Sequence, residues 1–161
     1  MKRVLVIGCP GSGKSTFARA LAERTGLPLC HLDLLYWNAD KTTVPRDTFR
    51  ARLSGILSGK EWIIDGNYQS TLALRLSRAD TVFFLDYPTD ICLAGVTARR
   101  SKPRPDMPWI EEEADDELLA FVRDFSADAR PQILNLLSFC TDKSVYIFHT
   151  REDADAFFCD L

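Results

Sequence analysis

Long hydrophobic runs and paired cysteines are both missing from this sequence. The apolar run near the N-terminus covers only residues 4–7, and no later run reaches the length of a membrane-spanning helix, so neither a signal peptide nor a membrane span is expected. The five cysteines are odd in number and no two are spaced as CxxC, which argues against a disulfide framework and against a zinc site. Because free thiols suit a reducing compartment, we expect a soluble cytoplasmic protein.

An excess of positive charge is missing as well. Twenty lysines and arginines stand against 23 aspartates and glutamates, which gives a formal net charge of −3. A protein that grips a long nucleic-acid backbone usually carries a basic excess, so nucleic acid is not an expected partner. The 161 residues contain no internal repeat, no low-complexity segment and no second candidate core. We therefore expect one domain over residues 1–161, as a monomer or a homodimer.

Short apolar runs alternate with helical patterns along the chain. The runs, which are predicted to be strands, cover residues 4–7, 29–32, 61–64, 81–85 and 144–148. Helices are predicted over residues 15–24, 45–57, 71–77, 89–100, 111–137 and 153–158. The runs are apolar on both sides. This alternation is typical of a parallel sheet covered by helices on both faces, a three-layer αβα sandwich.

A glycine-rich loop follows the first run. Residues 8–15 read GCPGSGKS and match the pattern GxxxxGK[ST], with a strand before it and a helix after it. The glycines allow backbone N–H groups to surround a phosphate, and the helix presents its positive N-terminus to the same group. Lys14 would neutralise the outer phosphates and the Ser15 hydroxyl would bind Mg²⁺, so the sequence predicts a P-loop for ATP and Mg²⁺. The predicted nucleotide-binding residues are Gly8, Pro10, Gly11, Ser12, Gly13, Lys14, Ser15 and Thr16.

Three aspartates follow the second, third and fourth strands: Asp33, Asp65 and Asp86. In an open parallel sheet, ligands gather at the carboxyl ends of the strands, and magnesium needs carboxylates that bind it directly or through its waters. Each aspartate also suits a helix N-cap or a turn. The pattern alone does not choose between Asp65 and Asp86 as the carboxylate beside the metal.

Several segments carry a resemblance to a known family. The glycine loop, HLD at 31–33, WIIDG at 62–66 and RADTVFFLDYP at 78–88 occur in that order, before an arginine-bearing helix and a proline-rich loop. This order resembles the adenylate-kinase-like branch of P-loop kinases, the nucleoside monophosphate kinase group. More narrowly, HLDLLYW, WIIDGNY and RPDM resemble small bacterial proteins labelled DNA topology modulation proteins. The likeness covers roughly residues 1–137.

The resemblance implies a sheet order of 2-3-1-4-5 and a set of roles. That order favours Asp65 over Asp86 beside the metal. It places Asp33 between the metal's water shell and the acceptor, where it can act as a base. A short lid over about residues 101–112 would close on the transferring phosphate. Arg99, which would also contact the nucleotide, and Arg123 would then neutralise that phosphate together with Lys14. The catalytic prediction is therefore Lys14, Asp33, Arg99 and Arg123, and the metal prediction is Ser15, Asp33 and Asp65.

The sequence departs from the family after the third strand. Adenylate kinases carry an arginine there that grips the acceptor monophosphate, whereas this chain reads DGNYQ at 65–69. Arg75 or Arg78 could replace that arginine; otherwise the acceptor lacks a phosphate. Aromatic residues beside the aspartates could form a wall of the acceptor pocket. The predicted acceptor-binding residues are Asp33, Tyr36, Trp37, Asn67, Tyr68 and Arg75.

These observations predict an ATP-dependent phosphotransferase that acts on a small acceptor, namely a nucleotide, a nucleoside or another hydroxyl metabolite. Two alternatives remain. The first is a nucleotide-gated regulatory or DNA-associated protein, as the narrower resemblance implies. The second is a plain NTPase, for which Gln69 is the candidate to position water.

Overall fold

A five-stranded parallel sheet forms the centre of the protein, which we describe from a computed structural model covering residues 1–112, 115–159 and 161. The strands are β1 (Arg3–Gly8), β2 (Leu29–His31), β3 (Trp62–Asp65), β4 (Thr81–Leu85) and β5 (Ser144–Phe148). Their order is β2-β3-β1-β4-β5, and every neighbouring pair is parallel. The predicted fold class and strand order are confirmed.

Helices connect the strands and cover the sheet. They are α1 (Lys14–Thr25), α2 (Leu32–Tyr36), α3 (Arg46–Leu57), α4 (Gln69–Arg78), α5 (Thr89–Ala98), α6 (Asp116–Asp124), α7 (Ala129–Ser138) and α8 (Arg151–Phe157). Consecutive residues of a strand point to opposite faces, and every residue of β3 and β4 is buried, so both faces of the central sheet are covered. None of the helices in the described ranges is long and apolar enough to cross a membrane.

The edge strand β5 differs from the expectation that all strands are apolar and buried on both sides. Ser144, Tyr146 and Ile147 are exposed, and only Phe148 is fully inside. An edge strand pairs with only one neighbouring strand, so the side chains on its outer, solvent-facing side need not be covered by other elements. Tyr146 still packs against Phe157 of α8, with the ring centroids 5.2 Å apart.

The predicted helix over 111–137 is two helices. Residues 113 and 114 of that prediction lie outside the described residues, α6 ends at Asp124, and a turn leads to α7. Pro131 lies in the first turn of α7, where the missing N–H needs no partner, so it causes no bend. Arg123 of α6 and Arg130 of α7 therefore belong to different helices. The structure also adds α2, which the sequence did not reveal, directly after β2.

Candidate active site

The glycine loop forms the floor of a cavity of about 720 Å³ at the carboxyl end of β1. Gly11 and Gly13 have left-handed backbone angles, with φ of 85° and 90°, which only glycine adopts without strain. The loop passes directly into α1, which begins at Lys14. The loop residues that line this cavity are Gly11, Ser12, Gly13, Lys14, Ser15 and Thr16. We call it the nucleotide cavity.

The loop lies against α5 at a contact between two glycines. A Cβ at Gly95 would come within 2.0 Å of the Gly11 carbonyl oxygen, and a Cβ at Gly11 would come within 2.0 Å of the Cys92 carbonyl oxygen. No side chain fits between these two backbones. Gly95 thus allows α5 to support the glycine loop from behind, a role that sequence pattern did not indicate.

A second cavity, of about 730 Å³, opens beside the first. We call it the acceptor cavity, because it contains Asp33 and four of the other predicted acceptor residues: Tyr36, Trp37, Asn67 and Tyr68. Lys14, Arg99 and Arg104 line both cavities. The two cavities therefore meet at three cationic side chains. Pro10 lines the acceptor cavity rather than the nucleotide cavity.

Asp33 lies in the first turn of α2 and is half-buried. The phenol of Tyr68 donates a hydrogen bond to its Oδ1 at 2.6 Å. Burial, with the neighbouring charge of Asp33, raises the pKa of Tyr68 well above its ordinary value, so the phenol keeps its proton and remains a donor. Among the described residues no side chain donates to Oδ2, which is left for a ligand.

Aromatic rings surround Asp33. Tyr36 packs against Tyr68 and Trp37, with ring centroids 5.0 Å and 5.1 Å away, and Phe49 supports both tyrosines from α3. Trp109 of the proline-rich loop meets Trp37 edge-on at 5.1 Å. Trp109 also lines the acceptor cavity, and sequence reasoning missed it. Its position in a segment identified as the lid was the available signal.

Asn67 and Arg75 stabilise the chain around the site. The Gly8 N–H donates to Asn67 Oδ1 at 3.1 Å, and Asn67 Nδ2 donates to the Gly8 carbonyl at 2.6 Å. Arg75 is fully buried and donates to the Gly66 carbonyl at 2.8 Å, to the Tyr68 carbonyl at 3.2 Å, to the Asn67 carbonyl and to the Thr71 hydroxyl. Burial lowers the pKa of Arg75 to about 10, so it is still charged at neutral pH. It does not line the acceptor cavity, so the structure does not place its guanidinium where an acceptor phosphate would lie.

Asp65 and Asp86 have different surroundings. His31 Nδ1 lies 2.7 Å from Asp65 Oδ2, while Asp65 Oδ1 is buried with no hydrogen-bond partner among the described residues. Asp86 receives two hydrogen bonds from Arg130, at 2.7 Å and 2.8 Å. A carboxylate oxygen without a donor suits a metal-bound water, whereas a carboxylate held by a guanidinium does not. On this ground Asp65 fits Mg²⁺ better than Asp86 does, but, unlike Ser15, Asp65 is absent from the described lining of both cavities.

The lid arginines are paired with lid carboxylates. The Nη2 of Arg99 donates a hydrogen bond to Glu111 Oε1 at 3.3 Å. The Nε of Arg99 lies 3.0 Å from Glu111 Oε2, but its N–H does not point at that oxygen, so this second contact is an ion pair without a hydrogen bond. Arg104 lies 3.3 Å from Glu111 and 3.4 Å from the buried Asp106, which Arg19 of α1 also approaches to 3.4 Å. Burial opposes the charged form of Asp106, but Arg104 leads the groups that bring its pKa below the ordinary value.

Several further residues of the sequence predictions are absent from the described lining of both cavities. Arg123 is exposed on α6 and is absent from the described lining of both cavities, so the structure does not bring it to the predicted catalytic group. Gln69, the water-positioning candidate of the plain NTPase hypothesis, donates to the Ala129 carbonyl at 3.4 Å. Gly8 is a wall of neither cavity and is held by Asn67 instead.

Comparisons with known proteins agree with this fold. The family model of the ATPase family associated with various cellular activities (AAA) matches residues 4–134. The structure is similar to shikimate kinase from Bacteroides thetaiotaomicron, with a TM-score of 0.63 and 19% identity over 99% of both chains. It is also similar to shikimate kinase from Acinetobacter baumannii in complex with shikimate, with a TM-score of 0.65 and 21% identity over 98% of this chain and 91% of that one. No curated protein matches the sequence. None of these findings concerns the DNA topology modulation proteins, so that narrower resemblance stays a prediction.

Proposed function

The chain belongs to the ATPase family associated with various cellular activities, and we propose that it is a phosphotransferase that moves the γ-phosphoryl group of ATP to a hydroxyl of a small acceptor. One observation carries this proposal: Lys14, Arg99 and Arg104 line the nucleotide cavity and the acceptor cavity at once. A group that passes from one cavity to the other must pass these cations, which suit the negative charge of a phosphoryl group in transfer.

Asp33 supplies the base in this reaction. The acceptor hydroxyl would lie beside its free Oδ2 and give up its proton there, while Tyr68 holds Oδ1 at 2.6 Å. The acceptor oxygen forms a bond to the γ-phosphorus, and the bond between that phosphorus and the β–γ bridging oxygen breaks, which leaves ADP. Two cavities that hold both reactants in place convert the encounter into a step within one complex.

Mg²⁺ fits next to the glycine loop, where the Ser15 hydroxyl would bind it and Asp65 Oδ1 would accept a hydrogen bond from its water. When bound, it neutralises charge on the β- and γ-phosphate oxygens. The chain itself contributes the backbone N–H groups of the loop and the Lys14 ammonium. Arg99 lies at the boundary between the cavities, where it can contact the phosphoryl group during its transfer.

The alternative of a nucleotide-gated, DNA-associated protein has less support. Arg99 and Arg104, two of the three basic residues that line both cavities, are paired with Glu111 and Asp106. Paired arginines offer little charge to a nucleic-acid backbone, and the whole chain is acidic. The acceptor cavity, with its base and aromatic walls, has no use in that function.

The test is transfer of label from γ-labelled ATP to pooled small metabolites, with Lys14→Ala as the inactive control. We expect a labelled organic product that depends on Lys14 and is lost in Asp33→Asn. Release of inorganic phosphate alone, at the same rate with and without the metabolite pool, would show a plain NTPase. A steep salt dependence of duplex binding would favour the DNA-associated alternative.

A further inference from the structure

We propose that the acceptor is an uncharged alcohol that carries a flat ring, and that Trp37 and Trp109 hold that ring. This inference rests on the proposed phosphotransferase function and names the class of its substrate. Both tryptophans line the acceptor cavity and are half-buried, so each keeps free surface for a ligand. When a flat ring packs against tryptophan, both rings remove apolar surface from water, and the tryptophan side chain gives up little conformational freedom.

The two tryptophans come from different segments of the chain and meet edge-on in the wall of the cavity. Trp37 follows α2, four residues after Asp33, whereas Trp109 belongs to the lid segment, and their ring centroids are 5.1 Å apart. Tyr36 and Phe49 support Trp37 and the neighbouring Tyr68 from behind. A ring bound here would be near the Asp33 carboxylate and in contact with the lid. Closure of the lid would then depend on the acceptor's being present.

The fully buried Arg75 beside the cavity and the half-buried Arg99 and Arg104 in its wall already have partners, which argues against an anionic acceptor. The Arg75 guanidinium donates hydrogen bonds to three backbone carbonyls and one hydroxyl. Arg99 and Arg104 share the Glu111 carboxylate. Lys41 and Arg100 also line the cavity, but Lys41 is exposed and Arg100 is only half-buried. In the proposed reaction Lys14, Arg99 and Arg104 serve the phosphates of ATP, so a phosphate or carboxylate on the acceptor would be left with Lys41 and Arg100, whose solvated charges contribute little binding energy.

A cationic acceptor is not favoured either, although aromatic rings attract cations. Among the described residues of the cavity wall, the five lysines and arginines outnumber the four acids, and a bound ammonium group would face this excess. The five basic residues are Lys14, Lys41, Arg99, Arg100 and Arg104, and the four acidic residues are Asp33, Glu111, Glu112 and Asp115. An uncharged ring is not repelled by this excess.

Binding is measured by calorimetry with a saturating non-hydrolysable ATP analogue, which fills the nucleotide cavity. The probes are matched: four nucleosides and pyridoxine as flat-ring alcohols, ribose and inositol as alcohols without a flat ring, nucleoside 5′-monophosphates and shikimate as anions, and choline as a cation. We expect at least one flat-ring alcohol to bind about tenfold more tightly than every ringless alcohol, as expected for a stacked ring. Addition of a 5′-phosphate to that alcohol should not strengthen binding.

In this titration three results would overturn the inference: no flat-ring alcohol binds, ribose or inositol binds as tightly as the best ring, or an anion or choline binds at least tenfold more tightly than the best ring. The protein has three tryptophans, and Trp62 is buried in β3, so quenching of tryptophan fluorescence by the bound ring reports on Trp37 and Trp109. Trp109→Ala should weaken binding of the ring about tenfold, and Trp109→Phe should restore most of it.

The outcomes separate this inference from the proposed function. The binding assay needs no turnover. Tight binding of a ring alcohol without any phosphate transfer would therefore contradict the proposed phosphotransferase function and still support the ring-binding site. Transfer of label to an alcohol without a flat ring would support the phosphotransferase function and contradict the inference about the ring. Equal binding of the ring to wild type and to both Trp37→Ala and Trp109→Ala would also overturn the inference.

Discussion

The Tyr68 phenol donates a hydrogen bond to the Asp33 carboxylate at 2.6 Å, and the backbone of Tyr68 is left-handed, with φ of 32°. A non-glycine residue adopts this conformation only when its surroundings enforce it, at a cost of about 1–3 kcal/mol. Here Arg75 enforces it, because its guanidinium binds the carbonyls of Gly66, Asn67 and Tyr68 together. A buried arginine thus fixes the turn that directs a phenol at the proposed base.

Tyr68→Phe should lower kcat by about 10- to 100-fold, because a hydrogen bond to a charged group is worth about 1.5–3 kcal/mol. The phenol positions Asp33, so its loss leaves the carboxylate free to turn away from the acceptor. KM for ATP should stay within about twofold, since Tyr68 lines only the acceptor cavity. Steady-state kinetics at saturating acceptor measure both quantities.

The matched control for this substitution is Tyr146→Phe. Tyr146 lies on the edge strand β5, and it is exposed. Its kinetics should be those of wild type. A Tyr68→Phe variant with unchanged kcat and a raised acceptor KM would mean that the phenol binds the acceptor directly, as the sequence suggested.

Arg75→Met should destabilise the fold by about 2–4 kcal/mol, because three buried carbonyls lose a charged donor. Arg78→Met is the matched control: Arg78 belongs to the same helix, is exposed, and should change stability by less than about 0.5 kcal/mol. Urea unfolding measures both. If Arg75→Met does not fold, Arg75→Lys retains the charge with fewer donors and should show a smaller loss. Unchanged stability with a raised acceptor KM would restore the predicted role of Arg75 in acceptor binding.

Gly95→Ala should weaken binding of an ATP analogue at least tenfold, because the new Cβ would lie 2.0 Å from the Gly11 carbonyl oxygen and displace the glycine loop. Gly55→Ala offers the control, since a Cβ there meets no atom within 4 Å. That variant should bind the analogue normally and be more stable by up to about 1 kcal/mol, as helix propensity predicts. Equal binding by the two variants would mean that α5 does not support the loop.

The sequence predicted the parts of the site that depend on local pattern. The glycine loop was readable because eight consecutive residues each have a local role, and the sheet order followed from the family resemblance. Asp33 and Tyr68 were identified, but not their hydrogen bond, since they are 35 positions apart in sequence. The sequence did not show where the side chains of Arg75 and Arg123 lie relative to the cavities, because residue type and helical spacing do not show which way an arginine points. Burial directs Arg75 inward to carbonyls, whereas Arg123 lies on the exposed side of α6, outside the described lining of both cavities.

The pairing of Glu111 with Arg99 and Arg104 implies competition with ATP. Glu111 places a carboxylate between two arginines that also border the nucleotide cavity, so a phosphate must replace that carboxylate to use them. Glu111→Gln removes the competing charge, and the affinity for an ATP analogue should rise about three- to tenfold, in line with a partly buried ion pair. Calorimetric titration at low ionic strength measures the change. Glu112→Gln, at the exposed neighbouring position, alters the net charge equally and should leave the affinity within about twofold. Weaker ATP binding by Glu111→Gln would show instead that Glu111 orients the arginines for the phosphate.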